Sequence, residues 1–195
     1  MSDGFFIPVP GLDLPRFAGI PTFMRLPHVP FQHLRFAKVE VGLIGPKRYC
    51  LIGIRGIRGI AYCREDWDFA AANGNRIIPV EEVHAREAGD VMAEARQIVG
   101  QGPFYVTYDI DFIDPTFAPG TGTPEVGGPS SWVSVQVALG LRGLDIVGAD
   151  LVELWPPFDA SGGTAWLGVS LMFEMPCSMA GALPRSPEYL DQDEG

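Results

Sequence analysis

The sequence predicts an α/β protein with a mostly parallel sheet. From residue 49 onward, short runs rich in β-branched and aromatic residues alternate with stretches of helical period. The first two runs, VEVGLIG (39–45) and YCLIGIRG (49–56), are apolar throughout rather than alternating. That is the pattern of strands covered on both faces, which parallel sheets require. At 195 residues the chain fits a single domain, 1–195, with about 150 residues as the usual measure.

Residues 1–37 read as a Pro-rich arm, because five prolines between Pro8 and Pro27 forbid a long helix. The two apolar strands follow, at 39–45 and 49–56. Trp67 to Asn73 reads as helical and ends at Gly74, and RIIPV (76–80) is a third strand. Val91, Met92, Ala95, Ile98 and Val99 share one face of a helix that Gly100 terminates. PFYVTYDID (103–111) is a strand, followed by a long Gly- and Pro-rich loop. Ser130 is placed to cap a helix carrying Val133, Val137, Ala138 and Leu141. IVGADLVEL (146–154) is the last strand, residues 164–182 the last helix, and 183–195 a polar tail.

One junction does not fit. Only Pro46, Lys47 and Arg48 separate the two buried strands, whereas parallel neighbours need a crossover of about a dozen residues. Three residues allow a hairpin at most, and this triplet lacks the Gly or Asn that a tight hairpin favours. A segment is missing near 45–48.

Composition narrows the function. Hydrophobic residues make up 47% and charged residues 19%, as in a globular protein. No apolar run approaches the roughly 18 residues of a membrane span, and the start lacks the basic and apolar regions of a signal peptide. Net charge is −10, with +5 on residues 1–60 and −15 on the rest, which disfavours nucleic acid and anionic membrane as partners. Cys50, Cys63 and Cys177 have no CxxC spacing and make no disulfide framework, so a reducing, cytoplasmic setting is expected.

Chemistry concentrates in YVTYDIDFIDPTFAPGTGTPEVGG. Asp109 and Asp111 lie two apart at the end of an apolar strand. On an extended strand they share a face, with Cα atoms about 6.5 Å apart. The carboxyl end of a parallel strand is where α/β proteins bind ligands. Two carboxylates there suit Mn²⁺ or Mg²⁺, or a pair of ions about 3.5–4 Å apart. The same pair serves equally as a cap on the following loop. Asp114 before Pro115 reads as a turn whose carboxylate accepts from nearby amides. GTGTP (120–124), with Thr121 and Thr123, reads as a close-packed loop rim. As a phosphate cradle it would need a following Lys or a helix opening on it, and it has neither. Glu153 ends the last strand, with Asp150 three residues earlier. Beside Asp109 and Asp111, Glu153 becomes a candidate for holding a guanidinium. His28, His33 and His84 lie at no metal-ligand spacing, and no Ser/His/Asp arrangement occurs. A DxD phosphotransferase would need a downstream Lys, and none follows Lys47.

DIDFIDPTFAPGTGTPEVGG resembles the signature block of the ureohydrolase (arginase/agmatinase) family, and LRGLDIVGADLVELWPPFDASGGTAWLG resembles the block after it. RFAGIPTFMRLPHV is most similar to the guanidinobutyrase, guanidinopropionase and proclavaminate amidinohydrolase branch. The resemblance implies a three-layer α/β/α fold, two Mn²⁺ ions, and hydrolysis of a small guanidino compound to urea and an amine, in a homo-oligomer. It implies that Asp109 bridges both metals, that Asp111 binds one, and that Glu153 faces the guanidinium. The family's GGDH and DAHxDxxD blocks, which carry both metal-binding histidines and the remaining carboxylates, have no counterpart here. They belong between 41–45 and 49–56, where the crossover is missing. Two expectations follow: a manganese-dependent amidinohydrolase, or an inactive truncated homologue. Two local departures stand out. Trp155 replaces a small residue before Pro156, and Pro176 interrupts the last helix. Without metals, Asp109, Asp111, Asp150 and Glu153 should converge and raise at least one carboxyl pKa, by repulsion first and burial second.

Overall fold

In the computed structural model, which describes residues 46–55 and 64–181, a 3-10 turn (Pro46–Arg48) leads into β1 (Cys50–Ile54). β1 pairs in parallel with β2 (Arg76–Pro79), Leu51 opposite Ile77 and Ile52 opposite Ile78. The register shifts between Ile52 and Ile54, where Gly53 adopts φ +79°. A Cβ at Gly53 would lie 2.2 Å from the Phe112 ring, so only glycine admits that ring.

The crossover between them is α1 (Arg64–Asn73). Its Phe69 and Ala70 cover Leu51, Ile54 and Ile77, while Cys50, Ile52 and Ile78 face the main core on the other side. β1 and β2 are thus buried on both faces, as their unbroken apolarity requires. β2 ends one residue short of expectation, because Val80 opens α2 (Val80–Ala85) directly behind Pro79. α3 (Ala88–Val99) buries Ala88, Val91, Met92 and Ala95. It ends at Gly100, φ +65°, whose N–H donates to the Arg96 carbonyl at 3.0 Å.

β3 (Phe104–Asp109) pairs in parallel with β4 (Ile146–Val152) across α4 (Ser131–Leu139). Both strands are shorter than the sequence predicts. β3 stops at Asp109 and turns into a 3-10 segment, Ile110–Phe112, and β4 stops at Val152. Ser130 caps α4 as expected, its hydroxyl accepting from the Val133 N–H at 3.3 Å. α5 (Gly163–Met179) continues through Pro176 rather than ending there. Leu171 and Met175 of α5, Val91 of α3 and Ile110 are fully buried in one core with Phe104, Val106 and Tyr108 of β3. Each such side chain contributes about 1.5–3 kcal/mol of burial.

The fold is α/β with parallel pairing. Among the described residues the strands form two separate pairs, β1–β2 and β3–β4, rather than one continuous sheet. No helix among them is long and apolar enough to cross a membrane. The arm at 1–37, the strand at 39–45, the start of the 45–48 junction and the tail at 183–195 lie outside the described residues.

Candidate site at the carboxyl ends of the strands

The 3-10 turn after β3 is pinned by its apolar residues. Ile110, Phe112 and Ile113 are buried, leaving Asp109 and Asp111 at the mouth. Asp111 is therefore on a turn and not on the extended strand, and the simple two-residue strand spacing does not hold. One Asp109 carboxylate oxygen accepts from the Asp111 N–H at 3.1 Å, so Asp109 also caps this turn. Asp111 Oδ2 accepts from the Thr123 hydroxyl at 3.0 Å. The Asp109 carboxyl is pushed up to about 7, chiefly by burial, then by the charge of Asp111, with Glu153 a smaller contributor. A raised carboxyl was expected; the order of causes is reversed, because burial of Asp109 outweighs the charge of Asp111.

Glu153 leaves β4 at φ +63°, the left-handed region, and is the one non-glycine there among the described residues. Such a backbone costs about 1–3 kcal/mol and persists where the surroundings fix it. Here they do. The next residue, Leu154, bridges Thr121, and the Trp155 N–H donates to the Gly120 carbonyl at 2.8 Å.

Asp150 does not join this group. It stands opposite Thr107, two residues below the strand end, and accepts from the Tyr105 hydroxyl at 3.1 Å. Its other oxygen is buried without a hydrogen bond. The Tyr105 hydroxyl is pushed up to about 12, by burial first and Asp150 second. Of the four carboxylates expected together, Asp111 and Glu153 act electrostatically on Asp109, and Asp150 pairs with Tyr105 instead.

Asp114 behaves as the turn residue it was read to be. It accepts from the N–H groups of Thr116 (2.9 Å), Gly127 (2.8 Å) and Gly128 (3.2 Å). These bonds, Thr116 foremost, hold its pKa down to about 2. The GTGTP loop is a packed rim. The Gly120 N–H donates to the Thr164 hydroxyl at 2.9 Å, and a Cβ at Gly120 would lie 2.6 Å from Asp159. Thr121 is 1% exposed, and its hydroxyl has no partner. The first amides of α5, which a phosphate would need, already donate to Asp159, at Thr164 (3.1 Å) and Ala165 (2.8 Å).

Arg55 was not singled out from the sequence. It follows β1, and its guanidinium donates to the carbonyls of Asp111, Phe112 (3.0 Å), Ile113 (3.3 Å) and Glu125 (2.8 Å). The available signal was slight: a lone basic residue at the end of an apolar strand. His84, the described histidine, belongs to no group of metal-binding side chains among the described residues, and its Nε2 lies 2.9 Å from the Gly127 carbonyl. The Cys50 thiol is pushed up to about 12, mainly by burial, and is no nucleophile.

Among the described residues, no three His, Cys, Asp or Glu side chains gather closely enough to hold a metal ion. Asp109 and Asp111 are suitable donors for Mn²⁺, but with no imidazole of the described residues grouped with them these two do not by themselves make up a two-ion centre.

Residues 24–177 match the arginase family. Guanidinopropionase of Pseudomonas aeruginosa is 49% identical over 148 residues, which is 76% of this chain and 46% of that protein. Mitochondrial agmatinase of Gallus gallus is 43% identical over 73% of this chain and 41% of its own length. The solved structure of proclavaminate amidino hydrolase from Streptomyces clavuligerus superposes with a TM-score of 0.70 at 34% identity, over 75% of this chain and 48% of that one. The chain spans about half the length of the curated relatives it matches.

Proposed function

The chain belongs to the arginase family, and from that premise we propose that its strand-end site is built for a guanidino compound, to be cleaved to urea and an amine. A short guanidino acid such as 3-guanidinopropionate or 4-guanidinobutyrate is the favoured substrate, with agmatine second. The observation that supports this reading is that Asp111 and Glu153 both bear electrostatically on the Asp109 carboxyl at the carboxyl ends of two adjacent parallel strands. Asp109 and Asp111 are the manganese ligands in this proposal. Glu153 pairs with the guanidinium fork, and Thr123 orients Asp111. Manganese would supply a water acidic enough to be hydroxide near neutral pH.

A second reading is favoured by the span of about half the relatives' length and by the missing GGDH and DAHxDxxD blocks. The 195-residue chain is one ureohydrolase-like domain with its middle removed near 45–48. It keeps the carboxylate side of the site and not the hydrolysis. A cytoplasmic homo-oligomer completes the proposal, supported by the large apolar side chains that α5 leaves exposed, Trp166 and Phe173 among them.

Urea release from the three candidate substrates, with purified chain and added Mn²⁺, separates the readings. The second predicts none. Turnover that Asp109→Ala abolishes would establish the first for this chain.

A further inference from the structure

The geometry points to Arg55 as a positioning residue that locks Asp111 in place, joining the β1–β2 pair to the mouth formed by β3 and β4. Its partners are 56 to 70 residues away in sequence and come from two separate segments. Three are the consecutive carbonyls of Asp111, Phe112 and Ile113, which form the turn after β3. The fourth is Glu125, in the loop that also carries Thr123. That loop returns to Asp111 through the Thr123 hydroxyl. Arg55, Asp111, Thr123 and Glu125 therefore close a ring. The Asp111 backbone is held by the guanidinium, and its carboxylate by a residue whose own loop the same guanidinium holds.

The partners suit a planar fork and nothing smaller. Guanidinium presents five donors in fixed directions, whereas an ammonium is a point charge with three. Among the described residues every acceptor of Arg55 is a neutral carbonyl, so its hydrogen bonds do not occupy the carboxylates of Asp109 and Asp111. Burial lowers the Arg55 pKa, while the nearby charges of Asp111, Glu125, Asp114 and Asp109 work the other way. Space for the group depends on two glycines. A Cβ at Gly128 would lie 2.8 Å from Arg55 Nη2 and 2.5 Å from the Asp114 nitrogen, and Gly53 admits the Phe112 ring.

This inference rests on the reading of Asp111 as a cation ligand, and the test keeps the two apart. Weak Mn²⁺ binding is followed by water-proton relaxation in the parent, Asp111→Asn, Arg55→Lys and Arg55→Gln, with circular dichroism to confirm folding. The ring predicts that Arg55→Lys, which keeps the charge, weakens binding about tenfold or more, as loss of an orienting partner does. A purely electrostatic role predicts no change in Arg55→Lys and tighter binding in Arg55→Gln, and that result overturns the proposal. Binding in the parent that Asp111→Asn leaves intact overturns instead the reading beneath it.

A second measurement needs no metal. Arg55→Ala opens a slot lined by four carbonyls, so methylguanidinium should raise the melting temperature of that variant by more than it raises that of the parent. Methylammonium should show no such difference. Equal effects of the two cations would contradict recognition of the fork.

Discussion

Asp109 combines three demands in one side chain: it caps the turn behind β3, it is largely buried, and it stands beside Asp111. Its pKa is raised in the folded chain, so the folded state holds that proton more tightly than the unfolded chain does. Stability from this group is present below the unfolded value, near 4, and is lost as pH rises toward about 7. In chelator at pH 7, Asp109→Asn should therefore melt a few degrees higher than the parent, about 2–4 °C for each kcal/mol relieved. A melt no higher than the parent's would mean that Asp109 is not crowded. Asp114 has the opposite sign. Its depressed pKa gives stability present above about 4 and lost as pH falls toward 2. Asp114→Ala should cost about 1 kcal/mol or less at pH 7, since water reaches the amides it binds, and the penalty should shrink in thermal melts below pH 3. Both residues were legible as chemistry in the sequence, since DxD and Asp-Pro are local patterns. Arg55 and the left-handed Glu153 were not. Their meaning comes from partners dozens of residues away, and no spacing rule carries that.

Elements were legible in kind and less so at their ends. The apolar periodicity of α3, the Ser130 cap of α4 and the terminating Gly100 are each local, and each appears where expected. The missed boundaries have tertiary causes. Val80 enters a helix behind Pro79, and Ile110 and Phe112 leave the strand to fill the core. Two predictions belong at this scale. Arg76, Glu82, Arg86 and Glu94 form a closed ring of ion pairs that ties β2 to α2 and α3, with Arg76–Glu94 at 2.6 Å and Arg86–Glu94 at 2.5 Å. The groups are about a third exposed, so Glu94→Gln should cost about 1 kcal/mol, and the loss should fall at high salt, as measured by denaturant titration. Leu171, fully buried on α5, should cost about 2–5 kcal/mol when replaced by Ala. A change under 1 kcal/mol in the same titration would place α5 outside the cooperative core.

At the scale of the whole molecule, the parallel pairing and the crossover helices were readable because each depends on patterns a few residues long. Among the described residues the strands fall into two pairs, and the strand expected at 39–45 lies outside them. Asp109, Asp111 and Glu153 stand at the carboxyl ends of β3 and β4, and Arg55 joins the turn that carries Asp111 to β1. We propose that this is the carboxylate side of an arginase-family centre that has no histidine ligand among the described residues. Elemental analysis of manganese after loading and dialysis tests it most directly. Two carboxylates without imidazole hold Mn²⁺ weakly, so fewer than one tightly bound ion per chain is expected. Two ions per chain would contradict it, and would mean that ligands beyond Asp109 and Asp111 complete the centre.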